Sequence, residues 1–189
     1  MPRRLDPGSL SLEDFHQMLE QEVEAVERNL ELISGNLSPL EPASSRHSAC
    51  VKQLSTYLST RIESKALLSI NEPVYINPQT GLRPDIALLK PRSNFYANAF
   101  PRPQDILLVI EVVDAHSYSR DVEEKLPLYA GAEIPEIWIV DISRDLVEVH
   151  SSPEDDLYLL RQIMRPGGDL LFLPLGISLP IKHIFPSFS

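Results

Sequence analysis

Apolar and polar positions along this chain follow two rhythms, helical spacing near the N-terminus and short apolar runs further on. Leu12, Phe15, Leu19, Val23 and Val26 recur at helical intervals behind Ser11-Leu-Glu-Asp14, a capping-box-like start. Leu30 to Leu40 predicts a hairpin turning at Ser34-Gly35-Asn36. A second helix is expected over about 45–64, with Cys50 or Val51, Leu54, Tyr57 or Leu58, and Ile62 as its apolar stripe. Strands follow at about 68–76 and 83–89, with the turn N-P-Q-T-G between them. Residues 91–104 are polar, proline-containing and dotted with aromatics, and read as a flexible flap.

Residues Ile106 to Val113, I-L-L-V-I-E-V-V, form a continuous apolar run broken by one acid. Such a run marks a central strand covered on both faces. After D-A-H-S, a helix is expected from about Ser119 to Ala130, interrupted by Pro127 and stopped by Gly131. Ile137–Ile142, Leu146–His150, Tyr158–Met164 and Leu170–Leu173 predict further strands. The order predicts an α/β (α+β) architecture, a mixed β-sheet core flanked by helices, with an N-terminal helix and hairpin and C-terminal strands.

The length of 189 residues suits a single domain, here residues 11–189 behind a flexible tail at 1–10. A formal charge of −10 argues against broad, sequence-independent binding to nucleic acid, which rests on Lys and Arg neutralising phosphates. A local basic groove is still compatible with it. Cys50, the single cysteine, excludes an intrachain disulfide and a cysteine-based zinc site, and fits a reducing compartment. The histidines show no zinc spacing. Neither a signal peptide nor a membrane span is visible, so a soluble, cytoplasmic protein is expected.

The acid in the apolar run carries the chemistry. An ionised Glu111 is strongly disfavoured in an apolar layer unless it is paired or binds metal. Asp85, in R-P-D-I-A-L-L, lies in the preceding predicted strand. Two carboxylates on neighbouring antiparallel strands are what a Mg²⁺ site for phosphodiester hydrolysis requires. Asp121, Lys125 and Tyr129 are spaced i, i+4, i+8 and share one helix face that could lean over the carboxylates.

R-P-D-I-A-L-L, then I-L-L-V-I-E-V-V-D, then R-D-V-E-E-K-L-P-L-Y-A-G-A-E-I-P-E-I-W-I-V-D resembles the Uma2 family of nucleases with the restriction-endonuclease-like PD-(D/E)xK fold. E-L-I-S-G-N-L and P-A-S-S-R-H also match that family's E-L-I-x-G-x-L and P-x-S-x-x-H, so the resemblance covers about residues 11–180. It implies an endonuclease that hydrolyses DNA with Mg²⁺, for which Mn²⁺ can substitute. Asp85, Glu111 and the backbone carbonyl of Val112 are the expected metal ligands. The lysine usual two residues after the glutamate is replaced by Val113, and the resemblance implies Lys125 in its place. Asp85, Glu111 and Lys125 are thus the expected catalytic residues, with Glu31, Asp121, Tyr129 and His47 supporting. Glu31 is the candidate additional acid, for a second metal or a metal-bound water. His47 reads chiefly as structural. The family's S-P-S-T-like turn is replaced here by D-A-H-S, with His116 in it.

Arg83, Lys90, Arg92 and Arg102 are expected to touch phosphates beside the site and flap. A homodimer would suit the cutting of both strands, with Trp138 and the run L-L-F-L-P-L-G-I as a candidate face or, alternatively, core. The alternative function is a catalytically inactive nuclease-fold module that binds nucleic acid or a protein partner.

Overall fold

The computed structural model describes residues 10–21, 30–40 and 42–185. Helix α1 (Leu12–Gln21) starts as expected, with Asp14 N–H donating to Ser11 Oγ and Ser11 N–H to Asp14 Oδ2. Val23 and Val26 lie outside the described residues. Strands β1 (Leu30–Ile33) and β2 (Asn36–Pro39) form the hairpin. Its two turn residues, Ser34 and Gly35, both have positive φ, the geometry that matches strand twist.

Helix α2 (Ser45–Ser59) is capped by Ser44, whose hydroxyl accepts the His47 N–H, and buries Cys50, Val51, Leu54 and Leu58. The two strands expected next are four. β3 (Leu67–Ile70) and β6 (Ile86–Leu89) pair in the main sheet, whereas β4 (Val74–Asn77) and β5 (Thr80–Leu82) pair in a smaller one. The breaks are local in origin. Asn71 takes a left-handed conformation and Pro73 has no N–H, and Arg83-Pro84 repeats the interruption on the way back. The chain therefore leaves the main sheet and returns to it, and Asp85 stands at the point of return.

The main sheet has the order β10-β9-β8-β7-β6-β3, with β7 (Ile106–Val113), β8 (Glu136–Asp141), β9 (Leu146–Glu154) and β10 (Leu157–Met164). Only β7 and β8 are parallel. Their crossover is a π-helical stretch, Arg120–Lys125, followed by α3 (Leu126–Gly131). Pro127 falls in the first turn of α3 and does not break the path, because wide turns precede it: the Leu126 N–H bonds to the Asp121 carbonyl five residues back.

Alternation along β7 divides the core. Leu108, Ile110 and Val112 face α2 and a C-terminal hairpin of β11 (Asp169–Phe172) and β12 (Ile177–Pro180). Val109 and Val113 face the crossover helix and the small sheet, ordered β2-β1-β5-β4. Trp138 is fully buried edge-on to Phe172, so it belongs to the core and not to a subunit face. β12 had no counterpart among the expected strands.

Candidate active site

Register builds the site. Ile86 pairs with Ile110, so the same antiparallel register sets Asp85 opposite Glu111 and Pro84 opposite Val112. The Val112 N–H donates to Asp85 Oδ2 at 2.8 Å. In a strand, a residue's N–H and C=O point to the same side, so the Val112 carbonyl also faces β6. Pro84 has no N–H to offer it. The proline before Asp85 thus leaves one backbone oxygen beside the carboxylates without its ladder donor.

Glu111 is almost fully buried. Its Oε1 accepts the Tyr129 hydroxyl at 2.7 Å and lies 3.4 Å from Lys125 Nζ, whereas its Oε2 has only a long contact, 3.4 Å, to the Asp85 N–H. Asp121, Lys125 and Tyr129 do share one face, as their spacing predicts. Lys125 Nζ lies 3.0 Å from Asp121 Oδ1 and 3.2 Å from Glu31 Oε1, and its side chain is 5% exposed. The wide turns of the crossover keep residues four apart in line and drop this lysine among three carboxylates.

Glu31 comes from β1, in the small sheet, and is completely buried. Its Oε1 accepts the Arg83 N–H at 2.7 Å, and its Oε2 pairs with Arg120 Nη2 at 2.6 Å. Arg120 also donates to the Pro39 carbonyl, tying the N-terminal hairpin to the crossover. Arg120 was missed from sequence, although it stands in the matched R-D-V-E-E-K; nothing in its spacing announces a partner 89 residues away.

His47 does more than shape a helix start. Its Nε2 is 3.0 Å from Asp85 Oδ2, so α2 reaches the site from one side of the sheet while Lys125 reaches it from the other. Arg83 is adjacent through its backbone, and its guanidinium donates to the Asn71 carbonyl. Lys90, Arg92 and Arg102 are not brought to the carboxylates. They stand at the opposite end of β6 and β7, five residues or about 16 Å along the strand. There Asp105 pairs with Arg92 and accepts the Arg102 N–H. The segment expected as a flap is pinned at that end, with Tyr96 donating to the Lys90 carbonyl and Phe100 packed on Tyr75. His116 is exposed, near Asp114.

The electrostatics follow from burial. Desolvation pushes the Glu111 carboxyl up to about 8, with Asp121, Asp85 and Glu31 adding to the rise and Lys125 opposing it. Burial opposes the charge on Lys125, yet its carboxylate neighbours outweigh that and hold the ammonium above its ordinary range. Glu111 contributes most to this rise, with Glu31 and Asp121 behind it. The Tyr129 hydroxyl is pushed up by burial and by Glu111, and remains a donor. Burial lowers the His47 pKa, but the hydrogen bond and charge of Asp85 outweigh it and the net shift is upward.

These directions set two expectations. Above about pH 4.5 the unfolded chain releases the Glu111 proton while the folded chain keeps it to about 8. The folded state then binds more protons, so stability falls as pH rises across that window. Glu111→Gln should flatten the decline, gaining on the order of 1.4 kcal/mol per pH unit at most over wild type, read by urea melts from pH 5 to 8. Tyr129→Phe removes a buried donor and should cost about 1–3 kcal/mol in the same melts.

Among the described residues no three His, Cys, Asp or Glu side chains form a ready-made metal cage. The donor set nonetheless fits Mg²⁺, which takes one or two carboxylates and keeps several waters. Asp85, the under-used Oε2 of Glu111 and the Val112 carbonyl are hard oxygen donors at one place.

A model of the Uma2 family, described as "putative restriction endonuclease", matches residues 12–182. The chain belongs to the Uma2 family. Among solved structures it is similar to a putative nuclease belonging to DUF820 from Anabaena variabilis, at 15% identity and a TM-score of 0.72, covering 93% of this chain and 97% of that one. That likeness shows the fold. No curated protein matches the chain. Family and fold together support a nuclease. Among the described residues no helix is long and apolar enough to cross a membrane.

Proposed function

We propose that this chain is an endonuclease that hydrolyses phosphodiester bonds in DNA with a divalent cation, Mg²⁺ or Mn²⁺. The observation that carries the reading is the Asp85–Glu111 pair, set side by side by strand register, with a lysine behind it. Asp85, Glu111 Oε2 and the Val112 carbonyl would hold the cation. When bound, the cation supplies charge neutralisation at the phosphate and a more acidic water.

The chain's own residues do the rest. His47 and the Val112 N–H fix Asp85 Oδ2. Tyr129 and Lys125 fix Glu111 Oε1, which turns the other oxygen towards Asp85. Lys125 is already protonated and does not take a proton from water; it supplies positive charge behind the pair. Cleavage of supercoiled plasmid with Mg²⁺ or Mn²⁺, against an EDTA control, tests this reading. No nicking with either metal on plasmid, single-stranded DNA and RNA would remove it.

One observation favours the alternative of a non-cutting module. The three N–H donors of Lys125 are matched by three carboxylates, so none is left over for a phosphate. Metal-dependent cleavage that requires Asp85 excludes that alternative.

A homodimer would bring two such sites to the two strands of a duplex. The surface suited to it is the β10 edge, where Leu157, Leu159, Leu160 and Ile163 are exposed on a strand that ends the sheet. Sedimentation of wild type beside Leu160→Glu reads this: a dimer that dissociates in the variant supports it, and a wild-type monomer removes it.

A further inference from the structure

We propose that the Lys125 ammonium is a fixed internal cation that closes the inner carboxylate pocket to metal, so that the site takes one divalent ion, at Asp85, and Glu31 positions Lys125 instead of ligating a second ion. The proposal rests on the metal-dependent reading above.

Three observations meet here. Both oxygens of Glu31 are engaged by cations or a backbone donor: Oε1 by the Arg83 N–H and Lys125, Oε2 by Arg120, and the side chain is completely buried. Lys125 Nζ stands 3.0, 3.2 and 3.4 Å from Asp121, Glu31 and Glu111, one acceptor for each of its three N–H bonds. It sits where a cation shared by those carboxylates would sit, and packing leaves its side chain 5% exposed.

Glu111 divides the site. Its Oε1 belongs to the inner pocket with Lys125 and Tyr129, and its Oε2 to the outer one with Asp85.

The test is Mn²⁺ binding to the full chain, followed by the loss of the free-ion electron paramagnetic resonance signal, with plasmid nicking measured beside it. Wild type should bind one Mn²⁺ and Asp85→Asn none. Glu31→Gln should still bind one, weakened by about 10–100-fold as expected for a residue acting behind the ligands. Its kcat should fall while KM holds, because the displaced lysine acts on the reacting pair and not on substrate capture. Lys125→Ala, which empties the space that the ammonium and its stem fill, should bind two. Two ions in wild type, no ion in Glu31→Gln, or a single ion in folded Lys125→Ala would each overturn the proposal and leave the nuclease reading standing. No ion in wild type would overturn both. If Lys125→Ala does not fold, Glu31→Gln and the wild-type count decide alone.

Discussion

Lys125→Met should be among the most destabilising single changes in this protein, by about 3–5 kcal/mol at neutral pH. The volume of methionine is close to that of lysine, so packing is nearly kept and the loss is electrostatic. Removing the ammonium leaves Asp121 and Glu31 near one another, with Arg120 reaching only Glu31. Buried carboxylates without a counter-charge favour their protonated forms, which the unfolded chain does not share. The penalty should therefore shrink as pH falls towards 5, when protons replace the missing charge. Urea melts of wild type and variant at pH 5 and pH 7.5 measure this. A penalty equal at both pH values would show that lost packing, not lost charge, is responsible.

Asp85→Ala should leave the fold standing and abolish the response to metal. The truncation frees the Val112 N–H and the His47 ring, which costs about 1–3 kcal/mol. Its larger effect is on binding. A ligand that binds only the folded state at 100 times its dissociation constant stabilises by about 2.7 kcal/mol. Wild type should melt several degrees higher with saturating Mn²⁺, and Asp85→Ala at the same temperature with or without it. An equal rise in both would place the cation elsewhere on the chain. Cleavage should fall by at least about 100-fold in the variant, the scale on which removal of a charge-stabilising group acts.

Much of the frame was legible in the sequence because it is written in local pattern. The apolar run Ile106–Val113 reads as a doubly covered strand, which the structure has as β7, and an acid inside it needs a partner. Antiparallel adjacency then sets Asp85 against Glu111. Helical spacing put Asp121, Lys125 and Tyr129 on one face, and the hairpin turn is encoded by Ser34-Gly35.

What was not legible depends on contacts between distant segments. The division of two expected strands into β3, β4, β5 and β6 is decided by two short interruptions and by a second sheet that receives the middle pieces. The hold on Glu31 comes from Arg83 and Arg120, 52 and 89 residues away. His47 meets Asp85 only because the first turn of α2 is packed beside the residue that precedes β6. Lys90, Arg92 and Arg102 are close to Asp85 in sequence but at the far end of a strand, and a strand separates its ends by about 3.3 Å per residue.

The most direct test of the central claim is Mn²⁺-dependent nicking of supercoiled plasmid by wild type and Asp85→Ala, purified side by side and matched for fold by circular dichroism. Nicked or linear product with wild type, abolished by EDTA and absent with Asp85→Ala, is the expected result. Equal product from both proteins would contradict it, because the cutting would then not belong to the Asp85–Glu111 site.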